Sequence, residues 1–132
     1  KLVFNCHMSS DKQIPPLVQE QLAKFQQAQQ NLQSILMQKQ QLESEKLETQ
    51  RALEELKKAS DDESVFKHAG TIMIKSNKKD LIEELEEQLE LAKTKDSLLV
   101  KQEERLKTTL KEQETKIQEM MKNLSINTKP PK

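Results

Sequence analysis

Along two long stretches of this chain, apolar residues recur at alternating spacings of three and four, and a short segment of another period separates them. The first stretch runs Ile14, Val18, Gln21, Phe25, Ala28, Leu32, Ile35, Lys39, Leu42, Lys46, Thr49, Leu53, Leu56. It is apolar at both ends and polar in the middle. The second runs Ile82, Leu85, Leu89, Ala92, Asp96, Leu99, Glu103, Leu106, Leu110, Gln113, Ile117, Met120, Leu124. Alternation of three and four is the heptad signature of a helix that buries one stripe against another helix.

Pro15-Pro16 suits the first turn of a helix, whose N–H groups have no intrahelical partner, and no Gly or Pro follows until Gly70. The spacing predicts a first coiled-coil helix over 13–59 and a second over 80–126, each roughly 60 to 70 Å long at 1.5 Å per residue. Asn77 is placed to cap the second helix, with Asp80 returning a bond to the cap amide. Folding the chain back antiparallel so that paired positions sum to about 138 brings the two seams together throughout. Leu53 then meets Leu85, Leu32 meets Leu106 and Val18 meets Met120. The same register sets Leu42 beside Asp96 and Ile35 beside Glu103, which predicts weak packing or curvature there.

The intervening residues 60–79 form a linker and a small β-hairpin. Val65-Phe66-Lys67-His68 and Thr71-Ile72-Met73-Ile74-Lys75 favour strands, and Ala69-Gly70 lies between them as the turn. A lone two-stranded hairpin is marginal in water, so its apolar strands and open edges predict pairing with other subunits. Val65, Phe66, His68, Gly70, Thr71, Ile72, Met73 and Ile74 are the oligomerisation candidates.

Composition sharpens this picture. Of 132 residues, 33% are charged and only 33% are hydrophobic, which leaves no material for a large core. Eleven glutamines between Gln19 and Gln50 extend a solvated helical face without adding charge. Acidic and basic residues balance at 22 each, so no net field gathers nucleic acid or an anionic membrane. The chain has no arginine-rich helix, aromatic platform or glycine-rich phosphate loop, and neither nucleic acid nor membrane is expected as a partner. The single cysteine, Cys6, forms neither an intrachain disulfide nor a zinc site, and a reducing, cytoplasmic setting is the expectation. Residues 1–12 are read as a flexible or vector-derived segment, with Met8 as an alternative natural start, and 127–132 as a flexible tail.

No catalytic or metal site is expected. His68 has no second His or Cys beside it, and Glu83-Glu84-Glu86-Glu87, Lys57-Lys58 and Lys78-Lys79 read as solvated helix faces and ends. A two-helix coil also encloses no cavity in which to desolvate a reaction, so the chain is read as no enzyme and as needing no cofactor. The informative excess is at the free helix ends. Leu17, Val18, Leu22 and Phe25 fall in register beside Ile117, Met120, Met121 and Leu124, more apolar side chains than two helices can bury. The adjacent methionines add an adaptable surface, suited to exposed apolar segments of other chains.

The ordered combination of Pro-Pro, a glutamine-rich helix, one VFKHAGTIMIK hairpin and a closing helix resembles the prefoldin family, in its archaeal β-subunit form. The resemblance spans about residues 13–126. It implies a mainly α fold, a long antiparallel two-helix coiled coil whose hairpins assemble into an intersubunit β-barrel. It further implies a hexamer of two α-type and four β-type subunits acting as an ATP-independent holdase chaperone. Such an assembly captures unfolded or nonnative proteins with its distal coiled-coil tips and passes them to a group II chaperonin. The alternative is a structural coiled-coil adaptor or spacer with no chaperone activity.

Overall fold

The computed structural model describes residues 14–127, and side chains through Ser125. The expectations for residues 1–12, Cys6 and Met8 included, and for the tail from Thr128 lie outside the described residues. Helix α1 spans Pro16–Lys58, strands β1 and β2 span Val65–Ala69 and Ile72–Ser76, and helix α2 spans Lys78–Asn127.

Each helix end has a chemical cause. The Gln19 amide donates to the Pro15 carbonyl at 3.0 Å, which makes Pro15 the cap and Pro16 the first helical residue, where a missing N–H costs nothing. At the other end of α1, Lys57 and Lys58 complement the negative end of the helix dipole. The Lys78 ammonium, from the first turn of α2, donates to the Lys57 and Ala59 carbonyls at 3.3 and 2.8 Å and pairs with Asp61 at 3.3 Å. One cation thus satisfies acceptors that α1 leaves open at its end. Lys78 is therefore more than the solvated lysine its sequence context suggested.

Helix α2 starts at Lys78, two residues ahead of the expected 80. Asn77 is its cap: Asn77 Oδ1 accepts from the Asp80 amide at 2.9 Å. The return bond differs from the expected one, because the Asp80 carboxylate accepts from the Asn77 side-chain amide at 2.8 Å. Between the helices, the Ser60 amide donates to Glu63 at 3.1 Å and the Glu63 amide donates back to the Ser60 carbonyl at 3.1 Å, which tightens the acidic linker.

The strands pair antiparallel, Val65 with Ser76 through Ala69 with Ile72. The loop is therefore Gly70-Thr71, one residue later than the expected Ala69-Gly70 turn. Gly70 has φ of 67° while Thr71 has an ordinary negative φ. That is the pattern of a type II′ turn, in which only the first central position needs a residue free of Cβ crowding.

The chain forms two compact units. The hairpin unit holds Ser34–Glu103, and the terminal unit joins the described residues up to Gln33 with those from Glu104 onward. In the hairpin unit Leu42 and Leu53 are each 6% exposed, and Leu81, which is outside the heptad series, is buried as well. In the terminal unit Val18, Gln21 and Ala28 are buried. Every position of the two heptad series is at least half-buried, while the intervening positions are mostly exposed. Burial thus follows the seam read from the sequence.

Truncation of a seam residue tests this packing. Leu53→Ala should cost about 2–4 kcal/mol of unfolding free energy, whereas Met37→Ala, at a strongly exposed position, should stay within about 0.5 kcal/mol. Denaturant melts followed by circular dichroism separate the two. Equal losses would mean that the seam assignment is wrong.

Candidate functional site: two exposed apolar surfaces

In the hairpin, cross-strand partners share a face, so Phe66, His68, Met73 and Lys75 lie on one side and Val65, Lys67, Ala69, Ile72, Ile74 and Ser76 on the other. Phe66, Ile72, Met73 and Ile74 are between 42 and 60% exposed. Each face therefore carries uncovered apolar side chains, and neither has a core to pack on. Val65 is half-buried, and His68, Gly70 and Thr71 are exposed. Lys67 reaches Glu84 in α2 at 2.8 Å, tying the second face of the ribbon to the helix that follows it.

A second apolar surface lies in the terminal unit. Leu17 and Met121 are 60 and 43% exposed, whereas Phe25, Ile117, Met120 and Leu124 are half-buried in the seam, Leu22 is half-buried beside it and Val18 is buried. Of the eight residues singled out from sequence, two stand clear of the coil. The heptad position explains Met121 and its neighbour. In the hairpin unit the seam is flanked by the ion pair of Lys57 with Glu86 at 3.7 Å. Five heptads away on each helix, the equivalent flanking positions are Leu22 and Met121. An apolar pair therefore occupies a lateral position that beside the hairpin carries a charged, solvated pair.

The polar middle of the seam differs from expectation. Leu42 is buried although it faces Asp96 in the 138 register, and Ile35 is half-buried. Lys39 accounts for this. In that register it faces Leu99, with Asp96 and Glu103 one turn to either side. Its ammonium donates to Glu103 at 2.6 Å, a carboxylate only 13% exposed. The hydrogen bond to Glu103 raises the Lys39 pKa above the ordinary lysine value; desolvation opposes the rise, and the charges of Glu103 and Asp96 add to it. Sequence reading treated 39, 96 and 103 as three separate gaps in the seam. Their spacing carried the pairing, since a lysine opposite the midpoint of two acids can reach both.

Sequence reading also passed over Leu36, Met37, Leu47, Leu91 and Leu98, which are exposed along the outer faces of the hairpin unit. Leu91 and Leu98 are one heptad apart and share a stripe. The clefts along this unit are open troughs, as between Leu42, Glu45, Thr49, Gln88, Ala92 and Lys95. Among the described residues no group of His, Cys, Asp or Glu is placed to hold a metal ion, and no helix is long and apolar enough to cross a membrane.

A family model described as a prefoldin subunit matches residues 19–123. The prefoldin subunit beta of Methanococcoides burtonii is 45% identical over 115 residues, covering 87% of this chain and 93% of that protein. The prefoldin subunit beta of Archaeoglobus fulgidus is 38% identical over 109 residues, covering 83% and 94%. Among solved structures, the crystal structure of the prefoldin beta subunit from Thermococcus strain KS-1 matches with a TM-score of 0.69 at 35% identity, covering 89% of this chain and 97% of that one.

The Lys39 pairing has a pH signature. A lysine whose folded pKa is raised stabilises the fold fully below its unfolded pKa, about 10.4, and loses that contribution as pH rises through the folded value. The thermal midpoint of the wild type should therefore exceed that of Lys39→Met at pH 7, and the gap should shrink above pH ~10.4. A gap that stays constant into that range would show that the ammonium does not stabilise the seam.

Proposed function

This chain belongs to the prefoldin family, as a non-catalytic subunit of the archaeal β type, and on that premise we propose that it is a chaperone subunit that holds nonnative proteins without ATP. The observation that carries this reading is the pair of uncovered apolar surfaces, one on the hairpin and one in the terminal unit. They ask for different partners. The hairpin ribbon is regular, open at both strand edges and apolar on both faces, so it suits a partner ribbon of matching geometry. Hairpins of other β copies and of an α-type subunit meet that need by closing into a barrel, in the proportion of four β to two α. Val65, Phe66, His68, Gly70, Thr71, Ile72, Met73 and Ile74 are the residues assigned to that assembly.

The terminal surface is small, irregular and rich in flexible side chains, which suits capture of exposed apolar segments of varied sequence. Leu17 and Met121 meet the client first, with Leu22, Phe25, Ile117, Met120 and Leu124 as the half-buried ground beneath them and Val18 closing the seam below. Each such patch binds weakly, and several on one hexamer add through effective concentration. Weak multivalent holding also permits release to a group II chaperonin by competition, with no nucleotide chemistry in this chain. The cytoplasm is the setting for that exchange. The burial of Val18 favours the adaptor reading for that residue alone, since a spacer needs only a closed seam.

The test is light scattering of a model protein diluted from denaturant, without ATP, in the presence of this chain assembled with an α-type partner. The wild-type assembly should suppress aggregation. The double variant Leu17→Ser, Met121→Ser leaves the seam intact and should lose several-fold in suppression at an unchanged hexamer mass. Unchanged suppression would sink the terminal-surface assignment, and a wild-type hexamer with no effect on aggregation would put the adaptor ahead. In gel filtration coupled to light scattering, Ile72→Asp with Ile74→Asp should abolish the hexamer while leaving the helical circular dichroism in place.

A further inference from the structure

The seam of the terminal unit contains two glutamines at positions that a stable coil fills with apolar residues. Gln21 is 8% exposed. Gln113 faces Phe25 in the 138 register, and its side-chain carbonyl oxygen is fully buried with no hydrogen-bond donor among the described residues. The contrast with the hairpin unit is chemical. There polar insertions find partners: Lys39 meets a carboxylate at 2.6 Å, Lys46 meets one at 3.5 Å, and the Thr49 hydroxyl donates to the Glu45 carbonyl at 2.9 Å. A buried carbonyl without a donor carries its whole desolvation penalty, and that penalty is relieved as soon as the two helix segments part. Closure of the terminal unit is therefore opposed from inside by Gln113.

We propose that Gln113 is a built-in weak point that lets the terminal seam open locally, and that an extended apolar segment of a client then inserts between the two helix segments. The match is two-fold. An extended nonnative chain offers apolar side chains for Val18, Phe25 and Ile117, and it offers unpaired backbone N–H groups, one of which supplies the donor that Gln113 lacks. Opening also explains how a surface on which, of the eight sequence candidates, only Leu17 and Met121 are exposed reaches a larger apolar area, since the seam becomes part of the site. This rests on the reading of the terminal unit as the client-binding surface, and it adds the opening step and the hydrogen-bond donor that the client must bring.

The experiment compares the full-length wild type with Gln113→Met and Gln113→Leu, which keep the volume of the side chain and remove the carbonyl. Hydrogen exchange of amides between Leu110 and Ile117 should slow by about tenfold or more in both variants, as an apolar group replaces an unsatisfied one. Capture of guanidine-denatured lysozyme, followed by stopped-flow fluorescence, should slow in the same proportion. Exchange that is unchanged or faster in both variants overturns the proposal. Slower exchange with an unchanged capture rate overturns the client step, because capture then needs no opening. A wild type that captures no denatured lysozyme removes the reading on which the client step rests, and the exchange rates alone still decide whether Gln113 loosens the seam.

Discussion

A seam between two helices is one side chain thick, and most features of this protein follow from that limit. Shielding is concentrated on the heptad positions, and even these are mostly half-buried, so stability comes from many shallow contacts rather than from a central core. Leu42, Leu53 and Leu81 in one unit and Val18 and Ala28 in the other are the places where burial is deepest. All other apolar side chains must be tolerated in water, covered by another chain, or put to use.

Polar residues in such a seam have opposite effects according to whether a partner is in reach. Lys39 is accommodated because Glu103 lies one turn from its register partner and takes its ammonium at 2.6 Å, with the charge of Asp96 adding to the attraction. Ion pairs of this kind add little net stability but penalise shifted registers, in which a half-buried charge would be left alone. Gln113 has no such partner among the described residues. The unit that carries this unmatched polar group also carries the apolar flanking residues Leu22 and Met121.

The hairpin poses the same problem in another geometry. Two strands cannot form a core, and the ribbon keeps its place through Lys67 with Glu84 and through the Lys78 ammonium that bridges the end of α1 and the linker. These contacts orient the ribbon without covering it. A regular ribbon with apolar side chains on both faces is suited to joining others like it, while the terminal surface, built from flexible side chains, is suited to partners of no fixed shape.

Much of this was legible in the chain itself. The three-four spacing determined both helices and which of their faces are buried, because a helix of fixed pitch converts spacing into direction. The lone glycine between β-favouring runs located the hairpin. What the tertiary structure decided were matters of reach and competition across the seam. Whether Lys39 is a gap or a bridge depends on the length of its side chain relative to Glu103. The Lys78 capping role depends on the path of the linker, and the one-residue shift of the turn to Gly70-Thr71 depends on strand pairing, which spacing alone leaves open by a residue. Near the helix ends the spacing already separates Val18, on the seam, from Leu17, about 100° away in direction. Only packing decides depth along the seam, with Val18 fully covered and Phe25 half-buried, because depth depends on how the facing side chains fill the space between the helices.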